Sequence, residues 1–298
     1  MMSSWLWAVF TVIAAFSQTV RNAMQRELTA SLGTLGATLV RFLFGFPFAL
    51  IFLAAVMLAT GLPLPHPGWK FWPWILDGAG AQVAATALML AAMGERSFVV
   101  TIAYIKTEPI QVAIFGLVFL GDRITWPMTI AIVVATVGVI VMSTKRGGMI
   151  GGIRPILLGL ASGGMFAASA IGYRGAILDL QLPDFVMAAT FTLVVGLALQ
   201  TAILLFYLIL RAPKVLTAIL RAWKPSLFAG FMGAVASQFW FLAFALTSAA
   251  SVRTLALVEV LFAQLIARFS FGQLTTPREA VGMVLVVAGV VALILAHH

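Results

Sequence analysis

The chain has 298 residues, of which 62% are hydrophobic and only 9% are charged. About a quarter of the residues in a soluble domain are charged, so a water-soluble fold of this length is excluded and most of the surface must face lipid. The net charge of +9 would suit nucleic acid in a soluble protein. Here the basic residues lie in short loops between apolar runs, where anionic lipid headgroups are the expected partner, and we expect no nucleic acid. The absence of cysteine excludes disulfides and thiol metal sites.

Ten apolar stretches are each long enough for a membrane-spanning helix, which needs about 20 mostly apolar residues. We therefore predict an all-α integral membrane protein with many passes, located in the inner (plasma) membrane of a cell. The first stretch is followed by charged residues rather than by a small-residue cleavage site, so we expect a retained span and not a signal peptide. In chain order the predicted spans are Ser4–Val20, Thr34–Thr60, Phe71–Met93, Ser97–Leu120, Trp126–Ser143, Arg154–Ala176, Asp184–Leu210, Trp223–Thr247, Ser251–Phe271 and Pro277–Ala296.

The stretch 97–142 has a counterpart 151 positions further along the chain that matches it at several positions. This shift places Glu108 on Glu259 and Gly121 on Gly272, and it extends upstream without a gap. Ten spans in two repeats give five helices in each, at 1–150 and 151–298. Because five is odd, the second repeat must enter the membrane from the opposite side. We therefore predict two inverted five-helix repeats that form one membrane domain and are related by a pseudo-twofold axis in the membrane plane.

Several ionised side chains lie inside predicted spans, where burial in lipid is costly and requires an explanation. Lys106 and Glu108 lie in span 4 and Glu259 in span 9. Lys106 and Glu108 are two positions apart, about 200° around a helix, so at least one needs a partner on another helix. Two interpretations remain open, a polar substrate cavity at the repeat interface or structural ion pairs between helices. Arg253 and Arg268, near helix ends, are typical of side chains that reach toward headgroups. Neutral polar candidates for the cavity are Gln82 and Gln238.

Apolar candidates for the same cavity are Met89, Tyr104, Phe166 and Trp240. Most tryptophans lie at span ends, as in an interfacial belt, but Trp240 lies deep in span 8, at the position equivalent to Met89 in the repeat. A buried Trp or Tyr needs a partner for its polar atom. Either a cavity or ordinary helix packing would explain these residues.

Five residues are candidate hinges: Gly78, Gly80, Pro109, Gly230 and Gly233. Pro109 removes a backbone hydrogen bond inside span 4 and predicts a bend there. Glycine in membrane helices also serves close packing, and that alternative remains open for the four glycines.

The sequence contains no Gly-x-x-x-x-Gly-Lys-Ser/Thr, no His-Glu-x-x-His and no Asp-rich magnesium motif. We therefore predict neither an enzyme nor a bound cofactor or metal. The expected partners are a small amphipathic solute, such as an amino acid, and the lipid bilayer. A proton is a candidate coupling ion.

Two homologous sets of five spans, with an early proline in span 4 and a Gly-acid-x-x-Thr break before span 5, resemble the drug/metabolite transporter superfamily in its EamA-type ten-helix exporters. The second half departs from this pattern, with Gln273 in place of the acid and Val260 in place of the proline. The excess of Lys and Arg after the odd spans predicts external termini, whereas the resemblance implies cytoplasmic ones. The matching residues are Pro109, Gly121-Asp122, Thr125 and Gly138-Val139, then Gly272, Thr276 and Gly289-Val290.

Within that superfamily, the Met- and aromatic-rich inner spans look most like the YddG-type exporters, which implies efflux of aromatic amino acids and related small metabolites. We expect a secondary transporter that works by alternating access, with its site between spans 3 and 4 and their mates 8 and 9. The polar candidates would bind the charged ends of the solute, and the apolar ones its side chain. The rival hypotheses are a transporter of another metabolite or of lipid, a channel, and a non-transporting membrane scaffold subunit.

Overall fold

The computed structural model describes residues 5–95, 104–143, 153–262, 264–265 and 276–296, and every regular element in these ranges is helical. A π-helical turn (Gly116–Leu120) follows α3 and a 3-10 turn (Ala256–Val258) follows α9. In chain order the α-helices are α1 (Leu6–Thr60), α2 (Phe71–Glu95), α3 (Glu108–Phe115), α4 (Trp126–Ser143), α5 (Ile153–Asp179), α6 (Phe185–Arg211), α7 (Pro213–Arg221), α8 (Trp223–Leu246), α9 (Ala249–Leu255) and α10 (Pro277–Ala296).

Among the described residues, five helical segments are long and apolar enough to cross a membrane, which agrees with the predicted helical membrane protein. Predicted spans 4 and 9 are described only in part. The described residues of span 4 are 104–120 and include α3, and those of span 9 are 251–262 and 264–265 and include most of α9. The count of ten spans therefore stays a prediction. The five segments are Ser31–Thr60, Ile156–Asp179, Phe185–Arg211, Trp223–Leu246 and Pro277–Ala296, and two shorter apolar helices are Glu108–Leu120 and Trp126–Met142.

The loop expected between spans 1 and 2 is helical instead. The helix α1 runs for 55 residues, and Gly33 leaves the helical region, with φ 67° and ψ 175°. This backbone region is essentially accessible only to glycine. The two helical segments of α1, 6–32 and 34–60, are therefore separated by Gly33 and not by a loop over the charged stretch 21–27, which is helical.

The chain divides into two compact units, and each contains residues from both predicted halves. The first unit comprises Met1–Ala79 and Gly172–Leu246, and the second comprises Gly80–Ile171 and Thr247–His298. The boundary at residue 150 separates the two sequence repeats. It does not coincide with the boundaries of the compact units.

In the first unit, α1 packs against α6 and α8, with glycine allowing close approach. A Cβ atom on Gly230 would lie 2.5 Å from Cβ of Phe44, and one on Gly45 would lie 3.2 Å from the carbonyl oxygen of Gly230. The Phe48 and Phe231 rings meet nearby at 5.1 Å. Small residues let membrane helices approach at backbone distance, so the sequence positions α8 directly against α1.

In the second unit, α4 and α10 pack through a reciprocal glycine contact. A Cβ atom on Gly138 would lie 2.7 Å from the backbone nitrogen of Val286, and one on Gly289 would lie 2.6 Å from that of Ala135. A shift of 151 positions places Gly138 on Gly289 and Ala135 on Val286. The two contacts are therefore equivalent under the repeat.

Candidate functional site

Both acidic residues of the sequence repeat follow an interruption of helical structure in the second unit. The helix α3 begins at Glu108, with Thr107 as its N-terminal cap residue, and residues 106–107 form a turn. Glu259 immediately follows the 3-10 turn Ala256–Val258. Such interruptions free backbone groups from the helical hydrogen-bond pattern, and in membrane transporters they occur where polar sites are built.

The helical structure is interrupted next to Pro109, but the interruption differs from the predicted bend. Pro109 lies in the first turn of α3 and not inside a continuous helix. In the first turn the missing N–H costs nothing, since that group has no helical partner. The irregularity is the turn at 106–107 before the proline, and a hinge role stays a prediction.

Two ion pairs join the residues around these interruptions. Lys106 Nζ donates to Glu259 Oε1, and Arg253 Nε donates to Glu108 Oε1 at 2.5 Å. The four side chains are between 12% and 17% exposed. Charge-assisted hydrogen bonds are about twice as strong as neutral ones, so these contacts hold α3 and the segment from α9 to Glu259 together. We refer to these two pairs as the crossed ion pairs.

At least one of Lys106 and Glu108 was expected to need a partner on another helix, and in the crossed ion pairs both have one. These pairs correct the prediction for Arg253, which pairs with Glu108 instead of reaching toward headgroups. Arg268 lies outside the described residues. The carboxylates are equivalent under the repeat, but the cations are not, because the position equivalent to Lys106 is Leu257. Each acid is therefore neutralised by a cation from the other half of the sequence.

The turn before α3 is supported by contacts that the sequence did not reveal. Gln111 Nε2 donates to Thr107 Oγ1 at 3.1 Å, and Thr107 Oγ1 donates to the carbonyl oxygen of Tyr104 at 2.7 Å. A Cβ atom on Gly163 would lie 3.1 Å from the carbonyl oxygen of Ile105, so α5 packs closely on this turn. Thr107 and Gln111 therefore fix the backbone that carries Lys106 and Glu108. The only sequence signal for this role was their position beside the charges.

The remaining candidates of the second unit are Gln82 and Met89 on α2, Tyr104 just before the turn, and Phe166 on α5. All four side chains are partly buried. That they line one cavity stays a prediction.

Trp240 and Gln238 lie in the first unit, on α8, and both are buried. Trp240 Nε1 donates to Gln18 Oε1 at 3.2 Å, and Gln238 Nε2 donates to Thr190 Oγ1 at 2.7 Å. Gln238 Oε1 has no hydrogen-bond partner among the described residues. Sequence analysis missed Gln18 and Thr190, since neither belongs to a motif. These bonds give both candidates a helix-packing role, and a substrate role stays a prediction.

The four candidate hinge glycines, all with helical φ values, differ in their surroundings. A Cβ atom would lie 2.8 Å from the Tyr173 ring at Gly78, 2.5 Å from Phe44 at Gly230 and 3.2 Å from Arg41 at Gly233. At Gly80 the described residues place no packing neighbour within 4 Å of an added Cβ. Close packing therefore explains Gly78, Gly230 and Gly233, but it does not explain Gly80.

Comparison with known proteins finds a family match over part of the chain and a similar fold over all of it. No curated protein matches the sequence significantly. A solved protein crystal structure is similar over 100% of this chain and 97% of its own, with a TM-score of 0.75 and 16% identity. This likeness concerns the fold alone. Residues 5–144 match the EamA-like transporter family.

Proposed function

We propose that this protein is a secondary transporter that exports amino acids, aromatic ones above all, and related small metabolites across the inner membrane by alternating access. The observation that carries the proposal is the crossed ion pairs at two helix interruptions, which join Lys106 to Glu259 and Arg253 to Glu108. The family match over residues 5–144 favours a small-molecule transporter over an enzyme. It also favours a transporter over a scaffold subunit.

The proposed architecture is two inverted five-helix repeats, 1–150 and 151–298, in one ten-helix domain. The reciprocal contacts of Gly138 and Gly289 support it, because a twofold relation generates such equivalent contacts in pairs. The crossed ion pairs support it in the same way, since each half of the sequence supplies one acid and one cation.

An amino-acid zwitterion fits the crossed ion pairs chemically. Its carboxylate requires a cation, which Lys106 or Arg253 supplies, and its ammonium group requires an anion, which Glu108 or Glu259 supplies. Exchange of an internal ion pair for two ion pairs to the substrate leaves no buried charge uncompensated, and an uncompensated buried charge is what makes the loss of one partner costly. Without substrate the protein's own charges neutralise one another.

The aromatic preference rests on the other candidate residues of the sequence, each considered within its own unit. Tyr104 and Phe166 of the second unit would contact the substrate ring, together with the adaptable side chain of Met89, and Gln82 would bind its polar edge. In the first unit, Gln238 offers a buried oxygen that has no partner among the described residues, and Trp240 offers an aromatic face. Each of these roles is tested separately by substitution.

Counterflow in liposomes tests this function directly. Purified protein is reconstituted into vesicles loaded with unlabelled phenylalanine, and uptake of labelled phenylalanine or tryptophan is followed over time. A carrier gives a transient accumulation above equilibrium, a channel gives equilibration without overshoot, and a scaffold gives neither. A lipid flippase would instead redistribute labelled phospholipid between leaflets.

Two variants locate the site if transport is found. Lys106→Gln should reduce the initial rate at least about tenfold, the loss expected for one charge-assisted contact. Lys70→Gln removes the same charge from an exposed loop residue and should leave the rate unchanged. Equal rates in both variants would refute the assignment of the site to the crossed ion pairs.

A further inference from the structure

A basic cavity lies beside the connection between α6 and α8. Its volume is about 550 Å³, and it lies within the first unit. Its polar lining comes from Lys214, Thr217 and Arg221 of α7 and from Ser31 of α1. Neither Lys214 nor Arg221 pairs with a carboxylate among the described residues. The cavity therefore offers two cations and two hydroxyl groups to a ligand.

The sequence of α7 explains why these cations face one way. Lys214, Thr217 and Arg221 recur at intervals of three and four residues, which places them on one side of a helix. Val215 and Ile219 lie on another side, where a Cβ atom on Gly36 would lie 2.8 Å from Val215 Cγ1. Ile219 is only 1% exposed. Packing against α1 thus fixes α7 with its basic side turned toward the cavity.

The position of α7 puts this cavity at the membrane surface. It connects α6, which ends at Arg211, to α8, which begins at Trp223, and both helices are long and apolar enough to span a bilayer. Leu220 is 67% exposed and Trp223 is 50% exposed. Exposed Leu and Trp beside a span end are typical of the boundary between headgroups and acyl chains.

The charge of this connection selects an anionic ligand. Residues 211–224 contain two lysines and two arginines and no acidic residue. A ligand here must therefore be anionic at its head, and the neighbouring exposed apolar side chains suit acyl chains. A phosphate group accepts hydrogen bonds from Lys, Arg and hydroxyl groups together, and basic clusters next to spans attract anionic lipids.

We propose that this cavity binds the headgroup of an anionic phospholipid, with its phosphate held by Lys214 and Arg221 and its acyl chains beside Leu220 and Trp223. The lipid would tie α7 to the end of α1's first helical segment, where Ser31 lies just before Gly33. This site does not depend on the transported solute.

The test is a titration of the full chain in neutral detergent with dihexanoyl phosphatidylglycerol, read as the rise in apparent melting temperature. The variant K214Q/R221Q should require at least about tenfold more lipid for half of the rise, since each basic residue near a membrane surface contributes about 1 kcal/mol. The matched variant R211Q/K224Q removes the same charge from the same connection but from residues that do not line the cavity. It should shift the midpoint by less than about threefold.

Three results would overturn the proposal. Equal weakening by both double variants would mean that the attraction is diffuse and that no built site exists. An equal rise in melting temperature with dihexanoyl phosphatidylcholine would show that the site does not recognise the anionic charge of the lipid. An equal response to inorganic phosphate alone would show that the cavity takes a free anion and not a lipid. The exposed positions of all four side chains make folding of the variants expected, and melting without lipid verifies it.

Discussion

Arg253 donates from Nε to Glu108 at 2.5 Å across 145 positions of sequence, and both side chains are largely buried. Loss of one partner from a largely buried ion pair typically costs about 3 to 5 kcal/mol. We expect Glu108→Gln to lower the apparent melting temperature in detergent strongly. The double variant E108Q/R253Q should recover much of the loss, because neither side then carries a charge. If the two single losses simply add in the double variant, this pair is not coupled.

The second pair, between Lys106 and Glu259, is predicted to tolerate exchange of its charges better than loss of one. Each of K106E and E259K alone should reduce counterflow by at least about tenfold, since each places like charges together. The combined variant K106E/E259K restores an opposite pair and should recover part of the rate. Rates are measured at equal amounts of reconstituted protein. If the double variant transports no faster than either single variant, the rate depends on which residue occupies each position and not on the opposite charges of the pair.

Substitutions of Trp240 test whether this aromatic candidate contributes only to helix packing. Trp240→Phe loses the hydrogen bond to Gln18 but retains a ring, and should cost about 1 kcal/mol of stability. Trp240→Ala leaves a cavity and should cost about 3 to 5 kcal/mol. If Trp240 also contacts substrate, Trp240→Phe should preserve most of the tryptophan flux. A large loss of flux in Trp240→Phe with little change in melting temperature would assign the function to the indole N–H.

Gly33 and Gly80 form a matched pair, because among the described residues neither has a packing neighbour within 4 Å of an added Cβ. Gly33 has a left-handed φ of 67°, so Gly33→Ala should destabilise the fold by about 1 to 3 kcal/mol through backbone strain. Gly80 lies inside α2 with helical φ, and Gly80→Ala should be neutral or stabilising by up to about 1 kcal/mol. Melting in detergent checks both. If Gly80 is a hinge, Gly80→Ala should reduce flux without lowering the melting temperature, and unchanged flux would remove it from that role.

The reciprocal contact of α4 with α10 predicts equal sensitivity at two distant positions of the sequence. An added Cβ on Gly138 or Gly289 would lie less than 3 Å from backbone of the facing helix, so the helices must separate. Overpacking of this kind costs about 1 to 3 kcal/mol. Gly138→Ala and Gly289→Ala should therefore lower the melting temperature by similar amounts. A large loss at one position with none at the other would contradict equivalent contacts.

Sequence patterns that depend on local chemistry predicted the structure well. Apolar length predicted membrane helices, and Gly121 marks the predicted break before α4, with φ 67° and no helix over 121–125. The equivalent break at Gly272 lies outside the described residues. The expectation that Lys106 or Glu108 has a partner elsewhere in the chain also holds, although the turn at 106–107 interrupts the helix from which it was argued. All of these follow from one or two turns of helix.

The structural features that could not be predicted from the sequence depend on tertiary packing. Nothing within span 9 distinguishes Arg253, which pairs with Glu108, from a residue that reaches toward lipid. Gly33 lies in the predicted loop between spans 1 and 2, and nothing in the sequence around it indicates a helix that continues on both sides of it. The helix α7 has nine residues, too few for hydrophobic periodicity to distinguish it from a basic loop. The roles of Gln18 and Thr190 arise solely from the helices that face them.

The crossed ion pairs have a consequence for biogenesis. Lys106 and Glu108 leave the ribosome 153 and 145 residues before their respective partners, Glu259 and Arg253. At about 5 to 20 residues per second, the first half of the nascent chain carries these two charges without counter-charges for roughly 7 to 30 s. Stable integration of α3 in lipid therefore waits for the last sixth of translation, when Arg253 and Glu259 are made, or depends on shelter by the insertion machinery.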